Sequence, residues 1–257
     1  PMHSIVEPLF HRHDELDRLY DFPLMMGGGH LTGYAVTDPA DIASVYDALG
    51  RLRARLSPED PLLFAVGDGN HSLAAAKACW EEVKRGLTPQ ETVVHPARFA
   101  MVELENIHDD ALRMEPIHRV LFGCDGDDLL DEIAAFAAEK GAAIAAGPQA
   151  QEITVVYEGK EVTLGIEGSP YKLAVGTLQA FLDGWLLSHP QARLDYIHGE
   201  DTVRTLVAGE GAVGFLLPTP ERDRLFDTIR TEGALPRKTF SLGSANEKRY
   251  YLECRRL

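Results

Sequence analysis

An apolar run that ends in a short polar loop and leads into an alanine-rich segment most constrains the fold of this chain. Residues 61–66 (PLLFAV) predict a strand, and Asp68 and Gly69 predict a tight turn because glycine tolerates a positive φ. The apolar residues that follow recur at intervals of three and four, which predicts a helix: Leu73, Ala76, Trp80 and Val83. This order places free backbone N–H groups and the positive end of a helix dipole at one point. Such a point binds anions, above all phosphates.

The loop itself, residues 68–72, carries the candidate functional groups. Asp68 is a candidate magnesium ligand or general base, and His71 is a candidate donor to phosphate or a general acid. Gly69, Asn70 and Ser72 are candidate phosphate-binding residues. The alternative is structural: Asn70 or Ser72 caps the helix and His71 is a solvated loop residue. Both interpretations use the same N–H groups, so the sequence leaves them open.

Charge and composition limit the classes of ligand. The net charge of −15 argues against a nucleic-acid-binding surface, which needs clustered Lys and Arg. No apolar stretch approaches the roughly 18–20 residues of a membrane span, and the N-terminus lacks a signal-peptide pattern. Cys79, Cys124 and Cys254 form no disulfide framework or zinc motif, and Cys79 is expected to be buried in its helix. We expect a cytoplasmic protein that binds a small anion, and homo-oligomerisation stays open. The spacings of His3, His11, His13 and His30 match no zinc pattern, so we expect these histidines to be solvated, with metal binding as the alternative.

Helix and strand patterns interleave along the rest of the chain. Residues 31–36 and 99–104 predict strands, and Asp38 begins a helix as its N-cap. Residues 113–122 predict a strand that Pro116 marks as an edge or a break.

The second half of the sequence has clearer signals. Residues 153–157 and 161–166 predict a β-hairpin around Gly159, and residues 127–140 predict an amphipathic helix closed by Gly141. Further elements are a helix containing Leu178, Phe181, Leu182 and Trp185, a helix after Thr219 containing Leu225, Phe226 and Ile229, and strands at 213–217 and 250–254. We predict an α/β or α+β fold, with a mixed sheet and flanking helices, in two parts (1–122 and 123–257) packed as one unit.

Four short motifs follow one another in a defined order: residues 68–72 (DGNHS), 115–119 (EPIHR), 195–199 (DYIHG) and 235–240 (LPRKTF). Together they resemble the domain of unknown function family numbered 1015, whose members are related to the ParB and sulfiredoxin-like fold. The resemblance extends from about Pro23 to the C-terminus. It implies a ParB/sulfiredoxin-like core in residues 1–122 and a chain that is shortened or a fragment, because members usually extend further at the N-terminus.

The resemblance assigns roles residue by residue. The family usually reads Asp-Gly-His-His-Arg at the loop, so Asp68, Gly69 and His71 match, whereas Asn70 and Ser72 depart from the pattern. Replacing the arginine removes a bidentate phosphate clamp.

Four further residues are candidates for phosphate binding by motif order. They are His118, Arg119, Arg237 and Lys238. Because an anion needs local cations in so acidic a chain, we predict that these residues converge with residues 68–72 on one cleft. The structural alternatives are a salt bridge for Arg119 and solvated charges for Arg237 and Lys238.

Two hypotheses about function follow. The fold class that the resemblance implies suggests a nucleotide such as ATP, ADP or CTP, with Mg²⁺, and a phosphotransferase or nucleotide hydrolase. The alternative is a non-catalytic binding or regulatory protein in which the loop is only a helix cap. The resemblance acts at the level of the fold and does not decide between them.

Overall fold

The computed structural model describes residues 5–110, 112–147 and 149–243. These fall into two compact units, the first ending at Leu112 and the second beginning at Arg113. The sequence places the division after residue 122 instead. The difference arises because residues 114–122 form a strand whose hydrogen-bonded neighbours all lie later in the chain.

The first unit contains one two-stranded sheet and four α-helices among its described residues. These are α1 (Glu7–Phe10), β1 (Asp17–Pro23), β2 (His30–Ala35), α2 (Pro39–Arg53), α3 (Asn70–Lys84) and α4 (Pro89–Val94). The strands β1 and β2 are antiparallel. Asp38 caps α2 as predicted, since its carboxylate accepts hydrogen bonds from the N–H groups of Ala40 (2.7 Å) and Asp41 (3.2 Å).

Two of the predicted strands in this unit are not strands. Residues 61–66 and 99–104 are irregular, and Val102 is 73% exposed. An alternating apolar pattern becomes a strand only when a neighbouring strand takes up its hydrogen bonds. Within the described part of this unit, β1 and β2 form the only ladder of more than one residue pair.

The helix predicted after the loop is present as α3, but its apolar stripe is not a core. Leu73 is 37% exposed and Val83 is 40% exposed. Cys79 is exposed, so the prediction that it is buried is wrong. The physical reason is that helical spacing of apolar residues specifies a face and not the partner that covers it.

The second unit is built on an antiparallel sheet. Its strands are β3 (Met114–Phe122), β4 (Ala143–Ile144), β5 (Gln151–Tyr157), β6 (Lys160–Glu167), β7 (Arg193–His198), β8 (Ala212–Leu216) and β9 (Phe240–Leu242). The order is β4-β6-β5-β8-β3-β7, and β9 pairs with the beginning of β3. The helices are α5 (Gly126–Glu139), α6 (Ala174–Ser188), α7 (Glu200–Leu206) and α8 (Arg222–Glu232). The predicted class, helices flanking a sheet, is confirmed, and the antiparallel pairing favours α+β.

The β-hairpin predicted around Gly159 is confirmed. Glu158 and Gly159 connect β5 to β6 with φ of +48° and +74°, which a type I′ turn requires. The end of α5 is confirmed as well. Gly141 has φ +76°, and the N–H of Ala142 reaches the carbonyl of Ala137 at 2.8 Å, as in a Schellman motif.

Strand β3 has a neighbouring strand on each side in its C-terminal part. Residues 119–122 pair with both β7 and β8, whereas Pro116 lies in the segment that pairs with β9 alone among the described residues. Proline is tolerated there because its missing N–H leaves no gap on a second ladder. Side chains alternate along the strand, so Leu121 joins the larger apolar core and Val120 joins a smaller one against α7.

The close packing of α7 on β8 depends on Gly214. A Cβ at this position would overlap Cγ1 of the buried Val203. We expect Gly214→Ala to lower the free energy of unfolding by about 1–3 kcal/mol, because the helix would have to move away from the sheet. Chemical denaturation measures this change. Gly184→Ala is the matched control: Gly184 is exposed in α6 with open space around it, so alanine should stabilise by about 0.5–1 kcal/mol.

Candidate functional site

The loop of residues 68–72 turns sharply into α3. Gly69 occupies the N-cap position with φ +73° and ψ +16°, the left-handed conformation that favours glycine. No atom lies within 4 Å of the position that a Cβ would occupy there, so the surface of the turn is open. The carboxylate of Asp68 accepts a hydrogen bond from the N–H of Gly69 at 2.8 Å, which holds the turn.

The first three N–H groups of α3 belong to Asn70, His71 and Ser72. The first bond of the helix runs from the N–H of Leu73 to the carbonyl of Gly69 at 2.9 Å. Within the ranges that the structure describes, no side chain accepts a hydrogen bond from those three N–H groups, and all three side chains are exposed. Capping by Asn70 or Ser72, the structural alternative, is therefore not what the structure shows.

Two other helices of the same unit, α2 and α4, have N-terminal N–H groups that are bonded to a capping side chain. Asp38 caps α2, and Thr88 caps α4 in a reciprocal arrangement with Glu91. The start of α3 thus presents donors and a partial positive charge to its surroundings.

Carboxylates lie near the loop. The pKa of Glu105 is raised above its usual value, first because burial disfavours the charged form and then because of the negative charges of Glu103 and Asp68. Asp68 and Glu105 are therefore close enough to interact electrostatically. No group of three or more His, Cys, Asp or Glu in the described part of the chain is arranged to hold a metal ion.

Arg119 has a wholly different environment from the one predicted for a ligand-binding arginine. Its side chain is completely buried in the second unit. Its Nε donates to Gln179 (3.1 Å), its Nη1 to the carbonyls of Ile117 (2.5 Å) and Lys238 (2.9 Å), and its Nη2 to the carbonyl of Arg237 (3.0 Å). These bonds direct the guanidinium into the protein. Arg119 therefore positions the segment of residues 237–238.

Electrostatics around Arg119 show a shortage of negative charge. Burial lowers its pKa to about 10; Tyr196 and the carboxylate of Asp183 oppose this shift, whereas Arg237 adds to it. The centre of the Tyr196 ring lies 4.7 Å from the guanidinium carbon. Tyr196 faces Arg119 because the two residues are paired in the β3–β7 register. The motif at residues 195–199 contains Tyr196, but no signal in the sequence marks this residue as a site residue.

Arg237 and Lys238 are exposed on the surface of the second unit. Arg237 donates from Nε to the hydroxyl of Tyr196 at 2.5 Å and lies 3.3 Å from the carboxylate of Asp183. Lys238 has φ +56°, an uncommon conformation for a residue other than glycine. The structure thus brings Arg119 together with residues 237–238. Their convergence with residues 68–72, which belong to the other unit, stays a prediction.

His118 lies on the opposite face of β3 from Arg119. It is 2% exposed, and its Nδ1 accepts a hydrogen bond from the N–H of Leu217 at 3.1 Å, which places the proton of the neutral ring on Nε2. Burial lowers its pKa, and so do the charges of Arg119, Arg204 and His198, whereas Glu200 raises it. His118 is thus a buried neutral histidine.

The environment of His118 predicts that the folded protein becomes less stable in acid. The unfolded chain takes up a proton on His118 below about pH 6.5 and the folded chain resists it, so the free energy of unfolding should fall as the pH drops below that value. One proton limits the slope to about 1.4 kcal/mol per pH unit, and the fall ends below the folded pKa. His118→Asn, whose Oδ1 can accept from Leu217, should flatten this part of a stability–pH curve. His11→Asn, at an exposed site, should leave it unchanged; equal curves for both variants would contradict the assignment.

None of the helices in the described residues combines the length and the apolar character needed to cross a membrane. A comparison with curated proteins found no match.

Solved structures gave distant likenesses. A free serine kinase in complex with AMP is 15% identical, with a TM-score of 0.36, and the match covers 53% of this chain and 56% of that chain. A variant of free serine kinase in complex with ADP is 15% identical, with a TM-score of 0.40 and coverage of 66% and 80%. A conserved hypothetical protein from Pyrococcus furiosus is 11% identical, with a TM-score of 0.37 and coverage of 53% and 58%. The chain thus spans little more than half the length of two of these three proteins.

The family comparison gives one continuous match. A family model described as protein of unknown function (DUF1015) matches residues 2–185, which include the loop at 68–72 and the strand that carries His118 and Arg119. The match begins before Pro23 and ends before the motifs at 195–199 and 235–240. Since it covers well over half of the 257 residues, the chain belongs to the DUF1015 family.

Proposed function

We propose that this chain binds the phosphate groups of a nucleotide or another phosphorylated small molecule at residues 68–72. The observation that carries the proposal is the open start of α3, where the N–H groups of Asn70, His71 and Ser72 have no side-chain acceptor among the described residues. Three adjacent donors at the positive end of a 15-residue helix suit a phosphate oxygen in both direction and charge. The left-handed Gly69 lets the ligand approach the backbone.

Asp68 gives this loop a candidate ligand for Mg²⁺, and its negative charge also acts on Glu105. Magnesium in nucleotide sites is bound through one or two carboxylates together with phosphate oxygens, so the carboxylate of Asp68 beside a phosphate fits this ion without a complete protein cage. Mg²⁺ would neutralise phosphate charge that the carboxylates otherwise repel. Because Ser72 stands where the family usually has arginine, we infer that the metal supplies the positive charge that this side chain lacks.

Phosphoryl transfer or hydrolysis is the reaction class that these groups serve. Such reactions depend mainly on positioning and on neutralisation of charge, which the helix N-terminus provides. His71, exposed in the first turn, would donate a hydrogen bond to a phosphate oxygen or a proton to the leaving group. The ParB/sulfiredoxin-like relationship, which also implies nucleotide chemistry, stays a prediction.

Ser72, which stands where the family usually has arginine, favours a second candidate, a protein that binds the phosphorylated molecule without turning it over. A turnover assay of the nucleotide-bound protein separates the two. Release of phosphate that His71→Ala abolishes supports the enzyme, and saturable binding without phosphate release supports the binding protein.

Calorimetric titration of the full chain with ATP, ADP, CTP and GTP tests the proposal. We expect saturable heat from at least one nucleotide, with tighter binding in the presence of Mg²⁺ than in EDTA. Asp68→Asn keeps an oxygen for the N–H of Gly69 and removes one negative charge. It should weaken the magnesium-dependent binding by about tenfold and slightly strengthen binding in EDTA.

Asp47→Asn in α2 is the matched control, because Asp47 is exposed and the change in net charge is identical. Absence of heat from all four nucleotides at millimolar concentration would eliminate the proposed function.

A further inference from the structure

The cluster around Arg119 contains more positive charge than its contacts neutralise. Arg119 contacts no carboxylate among the described residues; its donors meet three backbone carbonyls and the amide of Gln179. The carboxylate of Asp183 contacts Arg237 and the amide of Gln179. Lys238, which is exposed and follows Arg237 directly in the sequence, adds a third cation to this segment. Three cations thus accompany one carboxylate in a chain whose net charge is −15. Burying a guanidinium with so little neighbouring negative charge destabilises the folded state unless another anion neutralises it.

The same cluster has hydrogen-bond donors in excess of acceptors. The hydroxyl oxygen of Tyr196 accepts from Nε of Arg237, so the O–H of Tyr196 remains available to donate. In the described part of the chain, neither this O–H nor Nζ of Lys238 has an acceptor. Tyr196 is half-buried and Lys238 is exposed, so a molecule from solvent can reach both.

The backbone of the same segment has an uncommon conformation. Lys238 adopts φ +56° while Arg119 holds the carbonyls of both Arg237 and Lys238. Outliers of this kind persist where the surroundings fix them and are common at binding sites. Arg119 thereby acts as a positioning residue: it fixes the backbone from which Arg237 and Lys238 extend.

We propose that Tyr196, Arg237 and Lys238 form a second anion site, contained within the second unit, for the phosphate group of a phosphate monoester. The chemistry fits in two respects. The excess of three cations over one carboxylate matches the charge of a phosphate monoester, which is close to −2 at neutral pH. A guanidinium, an ammonium and a phenolic O–H supply the charge-assisted hydrogen bonds that phosphate oxygens accept. This site does not depend on the one proposed at residues 68–72.

The test uses the full chain carrying Ser72→Asp, which places a negative charge in the first turn of α3 and weakens phosphate binding at the loop site. Inorganic phosphate is the probe, and calorimetry or ³¹P NMR measures its dissociation constant. We expect Tyr196→Phe to weaken binding about fivefold, because it removes the O–H and keeps the ring over Arg119. Lys238→Gly should weaken binding about tenfold, and should raise the thermal midpoint because glycine tolerates the positive φ.

Lys140→Ala, which removes an exposed lysine at the end of α5 in the same unit, is the control and should leave the dissociation constant unchanged. If Lys140→Ala weakens phosphate binding as much as Lys238→Gly does, the anion responds to the overall charge of the chain, and the proposed site is wrong. Unchanged binding in both Tyr196→Phe and Lys238→Gly would also overturn the site. Titration with malonate distinguishes the ligand class: a dicarboxylate that binds more tightly than phosphate would refute the assignment to phosphate monoesters. Loss of nucleotide binding at residues 68–72 changes none of these outcomes.

Discussion

Arg119→Ala should lower the free energy of unfolding of the second unit by at least about 3 kcal/mol. The substitution removes the donors that satisfy the carbonyls of Ile117, Arg237 and Lys238 and leaves these groups buried without partners. It also leaves a cavity beside the ring of Tyr196. Chemical denaturation followed by tryptophan fluorescence measures the change, since Trp185 is buried in α6 of the same unit.

Two variants separate geometry from charge. Arg119→Lys keeps the positive charge but lacks the planar fork that reaches residues 237 and 238 together, so it should remain strongly destabilised. Arg224→Ala removes an exposed arginine of α8 that pairs with Glu221, and it should change stability by less than about 0.5 kcal/mol. If Arg119→Ala cost no more than Arg224→Ala, the hydrogen bonds described for Arg119 would not exist in the folded protein.

The features that the sequence predicts correctly are specified by neighbouring residues. The turn at Gly159 requires two consecutive positive φ values, and the adjoining strands alternate in polarity, so both signals lie within about fifteen residues. Leu178 and Leu182 likewise lie on the buried face of α6, which helical spacing alone identifies.

The features that the sequence predicts wrongly depend on distant partners. Residues 61–66 and 99–104 carry strand-like patterns, but no local signal tells whether a neighbouring strand exists to pair with them. Pro116 illustrates the reverse case: proline is compatible with β3 only because that segment pairs with β9, more than 120 residues later.

The candidate site likewise contains features that neighbouring residues specify and features that depend on distant residues. The turn at Gly69 and the start of α3 follow from neighbouring residues, and the sequence predicts both, but it leaves open whether Asn70 or Ser72 caps the helix. Three of the four hydrogen-bond partners of Arg119 lie 60 to 119 residues away, so motif order suggests that Arg119 and residues 237–238 are associated but not that the guanidinium faces inward. Tyr196 becomes a candidate only through its register with Arg119.

A positive and a negative side chain at position 72 should have opposite effects on the affinity for a phosphate group. Ser72 is the third residue of α3, and its side chain is exposed beside the open N–H groups. Ser72→Arg, which introduces the residue that the family usually has there, should tighten nucleotide binding by about tenfold through a charge-assisted hydrogen bond. Ser72→Asp should weaken it by about tenfold or more, because a carboxylate would occupy the space of the phosphate and repel it. Calorimetric dissociation constants in EDTA measure both effects without the contribution of Mg²⁺.

The free energies of unfolding of Ser72→Asp and Ser72→Arg distinguish an effect on binding from an effect on folding. An acidic residue in the first turn interacts favourably with the helix dipole, so Ser72→Asp should raise the free energy of unfolding by about 0.3–1 kcal/mol while it weakens binding. Ser72→Arg should do the reverse in both measurements. Ala78→Asp and Ala78→Arg make the same charge changes at an exposed position about 9 Å further along α3, beyond the reach of the N–H groups. If the Ala78 variants shift the dissociation constant as much as the Ser72 variants, the anion responds to the overall charge of the chain, and the start of α3 is not its binding site.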